Sequence, residues 1–207
     1  MNTANLPILH QTLNQLFIEI EKIDFRFLQE NKKLALNLIR KFYRNNIAIA
    51  TLINEGLFEE CFSLQRLSLE HFFNIFALIE NPDFLEKFKN NTELSISKTA
   101  IQLNKNKADI TAENYEKLMQ LIEEYKGISS MGYTIYYAAQ QCPHQIVSFY
   151  DSVYRVYSLG YAHSTFFSSI RNPTQEEAEK IVTNAIDFSK ILIALIKNTY
   201  SCDTKKG

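Results

Sequence analysis

The stretch LQRLSLEHFF, residues 64–73, places an arginine, a glutamate and a histidine in a run that otherwise reads as the buried side of a helix. Arg66 and Glu70 stand at i and i+4, close enough on a helix to pair, and a charge drawn into a protein interior is very costly unless paired. A guanidinium fixed by a neighbouring carboxylate has two uses. It serves either as a half-buried ion pair that holds helices together, or as a pre-oriented fork that receives an anion such as a phosphate. On a wheel of about 100° per residue, Arg66 lies about 40° from Phe62 and Glu70 about 40° further on, so both charges border one apolar face. His71 falls about 140° from Arg66, among Leu64, Ile75 and Leu78, and reads as a core histidine rather than a ligand or base.

A second polar element is YDSVYRVYSLGYAHSTFF, residues 150–167. Tyr150, Tyr154, Tyr157 and Tyr161 follow at steps of four, three and four, which puts four hydroxyls on one helical face. Gly160 is able to unwind the last turn and re-aim His163. Two roles fit the tyrosines: a packing face whose hydroxyls reach solvent or a partner helix, or one wall of a polar cavity. In the second role Tyr157, Ser158 and Tyr161 are binding groups, and His163 meets Arg66 and Glu70.

Metal chemistry has little to work with. Cys142 and His144 lack two further ligands at any regular spacing, so no metal site and no cofactor is expected. Cys61, Cys142 and Cys202 are odd in number and far apart, which suits free thiols in a reducing cytosol rather than a disulfide framework.

These side chains need helices to position them. Five glycines and four prolines are few for 207 residues, and scarce breakers favour long helices. Leu13, Leu16, Phe17, Ile20, Ile23 and Phe27 predict a first helix over 7–29, and Leu34, Leu38, Phe42, Ile49 and Ile53 a second. The third, over 56–80, holds LQRLSLEHFF. Asn81 and Pro82 suit the start of a fourth, which a polar region threatens to break near Asn90-Asn91. Thr111 opens a fifth that Gly127 ends. The segment ISSMGYTIYYAAQQCPH is a loop or a short helix that Pro143 ends, and a sixth helix then carries the tyrosines. Thr174 and Glu177 have capping-box spacing for a seventh. No alternating strand pattern competes. The expectation is an all-α single-domain bundle of six or seven helices over 1–207, with a disordered tail at 202–207.

Charge and hydropathy narrow the partners. With 22 basic and 23 acidic residues, the chain lacks a broad field for duplex nucleic acid or an anionic membrane. Only a local patch could attract one. Arg26, Lys32, Lys33, Arg40, Lys41 and Arg44 lie within 19 residues and form either such a patch or a solvated helix face. The longest apolar runs, IAIA and ILIALI, are too short to span a bilayer, so a cytoplasmic protein is expected.

Taken together, EECFSLQRLSLEHFFNIFALIENPDFLEKF and YDSVYRVYSLGYAHST resemble a bacterial all-helical family, domain of unknown function 5677. The shared features are the Arg-x3-Glu helix, the acidic/Pro break after it and the late Tyr-x3-Ser-x4-His segment. A looser likeness is to the HEPN group of helical bacterial proteins, many of them dimeric RNA-cutting toxins or phage-defence factors. Their signature is Arg, a polar residue, any three residues, then His. RLSLEH has the spacing but Leu67 at the polar position; SLGYAH has Ser158 in place of Arg; RNPTQE has Glu176 in place of His. No copy is complete, and the likeness implies a composite in which Arg66 and His163 come from different helices.

Such a composite is suited to metal-independent RNA cleavage. His163 would take the 2′-OH proton, Arg66 would stabilise charge building on the phosphate, and Glu70 would orient Arg66. The partners implied are RNA and a second copy of the chain. The alternative is a non-catalytic helical module that binds a small anionic ligand or a partner protein.

Overall fold

A computed structural model of the chain describes residues 5–105, 111–127, 132–160 and 172–200, and every regular element among them is helical. Helix α1 (Leu6–Glu21) starts with Pro7 in its first turn and buries Leu9, Leu13, Leu16 and Ile20 at steps of four, three and four. It stops well short of residue 29. Asp24 takes an extended backbone, and its carboxylate accepts from the Arg26 backbone N–H at 3.0 Å, which opens a 3-10 turn over Phe25–Phe27. Phe27 therefore leaves the apolar stripe and stands 73% exposed.

Helices α2 (Glu30–Asn54) and α3 (Phe58–Glu80) form an antiparallel hairpin around Gly56, whose φ of +76° suits glycine. Side chains meet across the pair near both ends. The Asn31 amide donates to the Leu78 carbonyl at 2.9 Å, and the Cys61 thiol sits 3.8 Å from the Ile49 carbonyl. Asn81 closes α3 instead of opening the next helix: its side chain accepts from the Asp83 N–H at 3.0 Å, so α4 begins at Phe84. α4 (Phe84–Lys105) runs unbroken through Asn90-Asn91. The Thr92, Ser95 and Thr99 hydroxyls along it donate to carbonyls four residues back, keeping its polar side chains within the helix.

Thr111 caps α5 (Ala112–Glu124), as its position predicts. Thr134 caps a short α6 (Ile135–Gln140), accepting from the Tyr137 N–H at 2.9 Å. Pro143 then leads into α7, which is α-helical over His144–Phe149, π-helical over Tyr150–Tyr154 and α-helical again over Arg155–Gly160. The final helix, α8 (Gln175–Tyr200), begins with a complete capping box between Thr174 and Glu177, at 2.9 and 3.2 Å. Counting α7 once gives eight helices among the described residues, more than the six or seven expected. The addition is α6, in the segment whose sequence suits either a loop or a short helix.

Buried side chains of α1, α2, α3, α6, α7 and α8, with Phe84 at the start of α4, join in one apolar cluster with α3 at its centre. Phe72 of α3 meets Phe42 of α2 at 6.2 Å and Phe188 of α8 at 5.0 Å. Among the described residues no helix is long and apolar enough to cross a membrane. The tail expected at 202–207 lies outside them.

Candidate functional site

Helix α3 offers Arg66 and Glu70 to α7. Their ion pair, Nη2 to Oε1, is 2.9 Å long, and the two side chains are 22% and 21% exposed, so the pair sits at the edge of the core. Opposite lie Tyr154, the last residue of the π-helical segment, and Ser158, one turn further on. The Tyr154 hydroxyl accepts from Arg66 Nη2 at 2.9 Å and donates to Glu70 Oε1 at 2.9 Å. Ser158 Oγ accepts from Arg66 Nε at 2.7 Å and donates to the Tyr154 carbonyl at 2.8 Å. The guanidinium carbon also lies 4.9 Å from the centroid of the Tyr154 ring. The Tyr154 and Ser158 hydroxyls are engaged with α3 and with their own helix, and Arg66 meets them through Nε and Nη2.

The network continues beneath the pair. Asn74 donates to the Glu70 carbonyl at 2.9 Å and accepts from the Tyr133 hydroxyl at 3.0 Å, just before α6. Burial, and then the Glu70 charge, push the Tyr154 phenol up to about 12, so it stays protonated and able to donate at neutral pH. Burial likewise raises Tyr133.

Of the residues that the sequence nominates, Arg66, Glu70 and Ser158 meet in one cluster. Tyr157 does not join them. Its ring packs edge-on against Phe62 at 4.9 Å, and its hydroxyl accepts from Asn184 of α8 at 3.1 Å. It lines a separate cleft of about 340 Å³ with Val156, Lys180 and Asn184. The tyrosine hydroxyls thus bond different neighbours, Tyr154 on α3 and Tyr157 on α8, although the rings of both touch α3. Tyr161 and His163 lie outside the described residues, as does Arg171. Tyr154 belongs to the stripe that the spacing shows but is not among the binding groups nominated from it, although it stands one turn before Ser158 on the same helix face.

His71 stays apart from the cluster, as the wheel indicates. Burial, with the positive charge of Lys41, pushes it down to about 4, so the ring is neutral at pH 7 and a weak base. Cys61 and Cys142 are buried free thiols, each pushed up to about 12 chiefly by desolvation, and so unreactive. His144 is exposed while Cys142 is buried, and among the described residues no three His, Cys, Asp or Glu side chains are grouped to hold a metal.

The fold and the cluster define an all-helical protein in which an arginine–glutamate pair on one central helix is bound to a tyrosine and a serine on a π-bulged neighbour. More specifically, the chain belongs to the family of unknown function DUF5677, whose model matches residues 32–180 and so takes in both helices of the network. Neither the curated proteins nor the solved structures include a match to this chain.

Proposed function

We propose that this protein is a metal-independent ribonuclease that acts as a homodimer in a toxin or phage-defence role. One observation carries the proposal: the Arg66 guanidinium lies 2.7 Å from Ser158, five positions ahead of His163 in the chain. Arg66 thus comes to the helix that leads toward the histidine. In the reaction, the His163 imidazole accepts the 2′-OH proton and the 2′ oxygen attacks phosphorus. The P–O5′ bond breaks, leaving a 2′,3′-cyclic phosphate, and the leaving oxygen takes a proton from solvent. Arg66 Nη1 faces the charge gathering on the phosphate, while Glu70, Tyr154 and Ser158 fix the other edges of the fork.

A second reading has its own observation. Arg66 already bonds Ser158, Tyr154 and Glu70, and Glu70 compensates its charge, which suits a clamp between α3 and α7 in a non-catalytic module. That module binds a small anionic ligand or a partner protein.

RNA degradation by purified protein at sub-stoichiometric dose, in the presence of chelator, separates the two. The ribonuclease cleaves RNA to cyclic-phosphate ends, His163→Ala abolishes cleavage at an unchanged Tm, and light scattering gives twice the chain mass. Intact RNA with the wild-type protein overturns it and leaves the binding module.

A further inference from the structure

We propose that the outer face of α2, with the 3-10 turn before it, is a docking surface for single-stranded RNA, separate from the Arg66 network. The choice of RNA over DNA rests on the ribonuclease reading; the docking itself does not. Lys33, Asn37, Arg40 and Arg44 follow at steps of four, three and four, opposite the face that buries Ala35, Leu38, Phe42 and Asn46. Lys41 lies beside them.

What sets four of these cations apart is that no carboxylate pairs with them. Within this surface Arg26 pairs with Asp24, and Glu30 at the start of α2 pairs with Lys89; elsewhere Lys117 pairs with Glu113, Arg155 with Asp151 and Lys180 with Glu176. Among the described residues, Lys33, Arg40, Lys41 and Arg44 form no ion pair. In a chain of net charge −1, uncompensated positive charge therefore gathers along one helix face, over a rise of about 16 Å from Lys33 to Arg44.

Aromatic rings flank that face. The Lys33 ammonium lies 5.4 Å and the Arg40 guanidinium carbon 6.0 Å from the Phe25 ring, and Arg26 lies 5.6 Å from the Phe27 ring. Phe27, 73% exposed, contributes little to the core. Cations that track phosphates beside exposed rings that stack on bases are the two components of single-strand binding. A duplex hides its base faces and would leave the rings unused. An anionic membrane needs apolar side chains along the inserted face, whereas the α2 face is polar from Lys33 to Arg44 and the exposed apolar groups are confined to Phe25 and Phe27 in the turn before it.

Fluorescence polarisation with a labelled oligouridylate tests the proposal, using the full-length His163→Ala protein so that cleavage does not consume the probe. Binding is expected to weaken as salt rises. Adding Arg40→Gln with Arg44→Gln should weaken it at least tenfold and flatten the salt dependence by about 1.4, at about 0.7 for each phosphate no longer neutralised. Phe27→Ala, a substitution at an exposed site that leaves Tm unchanged, should weaken it roughly tenfold by removing a stacked base. Undetectable binding, or binding that both variants leave unchanged, overturns the proposal. So does capture by phosphatidylserine vesicles, lost in the same variants, with none by oligouridylate. Loss of RNA cleavage in the wild type bears on the ribonuclease alone, because binding is read separately.

Discussion

Replacing Tyr154 with phenylalanine isolates the hinge of the polar network. The ring stays, with its stack on Tyr150 at 5.1 Å and its contact with the Arg66 guanidinium, and only the hydroxyl's two bonds are lost. A hydrogen bond to a charged group is worth about 1.5–3 kcal/mol. The two are coupled, and about a fifth of each charged side chain reaches solvent, so the expected loss is about 1.5–3 kcal/mol in all rather than twice that. For a chain of this length each kcal/mol moves Tm by about 2–4 °C, which gives a fall of roughly 3–12 °C. Arg66→Ala removes more, about 2–4 kcal/mol, because it strands Glu70 at the edge of the core and leaves Ser158 without its donor. If the three groups act as a unit, the double variant should fall short of the summed single losses by about 1–2 kcal/mol. Arg66→Lys should recover less than half of the alanine loss, since an ammonium cannot serve Ser158 and Tyr154 through a fork. Urea and thermal unfolding followed by circular dichroism read all four variants. A Tyr154→Phe protein within about 0.5 kcal/mol of wild type, with additive double-mutant losses, would refute the view that this network holds α7 to α3.

Other parts of the fold give equally direct tests. His71 sits near 4 in the fold against an ordinary 6.5. The neutral ring is therefore favoured, and its contribution is whole above pH 6.5 and drains away as pH falls through 4. Wild type should lose roughly 2–3 kcal/mol over that window through this group, and His71→Gln should lose less, read from urea midpoints; identical pH slopes would count against it. Tyr154 runs the other way: raised from 10 to about 12, it loses its contribution as pH climbs from 10 through 12, and Tyr154→Phe should flatten that alkaline decline. Gln65 is fully buried on α3 with neither end of its amide hydrogen-bonded among the described residues. Gln65→Leu should therefore raise Tm by about 2–8 °C, and a fall would be contrary. Thiol labelling followed by peptide mapping should find Cys61 and Cys142 unmodified until denaturant is added, because both are buried and protonated.

Local chemistry was legible where one signal acted alone. Thr174 and Glu177 announce a helix start by their spacing, and the reciprocal bonds form as that spacing requires. The end of α1 was hidden because Ile23 and Phe27 continue its apolar period, while Asp24 ends the helix by bonding its own backbone two residues on. Asn81-Pro82 was readable as a boundary, but not as the close of α3 rather than the opening of α4. At the site, the i,i+4 pair of Arg66 and Glu70 and the opposite facing of His71 follow from helical geometry alone. The division of the tyrosines does not. A wheel at 100° assumes an unbroken α-helix and nothing in YDSVY marks a π-helical turn, nor does a shared face say which neighbour each hydroxyl meets, Glu70 of α3 for Tyr154 and Asn184 of α8 for Tyr157.

A guanidinium held this firmly has consequences for how it would work on RNA. Glu70 cancels the net charge at Arg66, so a resting phosphodiester, with a single negative charge, gains little by binding there. As the 2′ oxygen attacks, negative charge gathers on the phosphate. A fork already fixed by Ser158 and Tyr154 then stabilises that charge without having to reorganise. Interactions stronger in the transition state than in the ground state raise kcat and leave KM nearly unchanged. On the ribonuclease reading, Arg66→Lys should therefore lower kcat with little effect on KM, while loss of the α2 cations should raise KM and spare kcat. On that reading the separation would also reconcile an RNA-cutting role with a net charge of −1: affinity would come from one helix face whose cations are not ion-paired, and charge stabilisation from a cation fixed beside Glu70. Equal KM increases from Arg66→Lys and Arg40→Gln/Arg44→Gln, with kcat untouched in both, would make Arg66 a binding group and remove it from the chemistry.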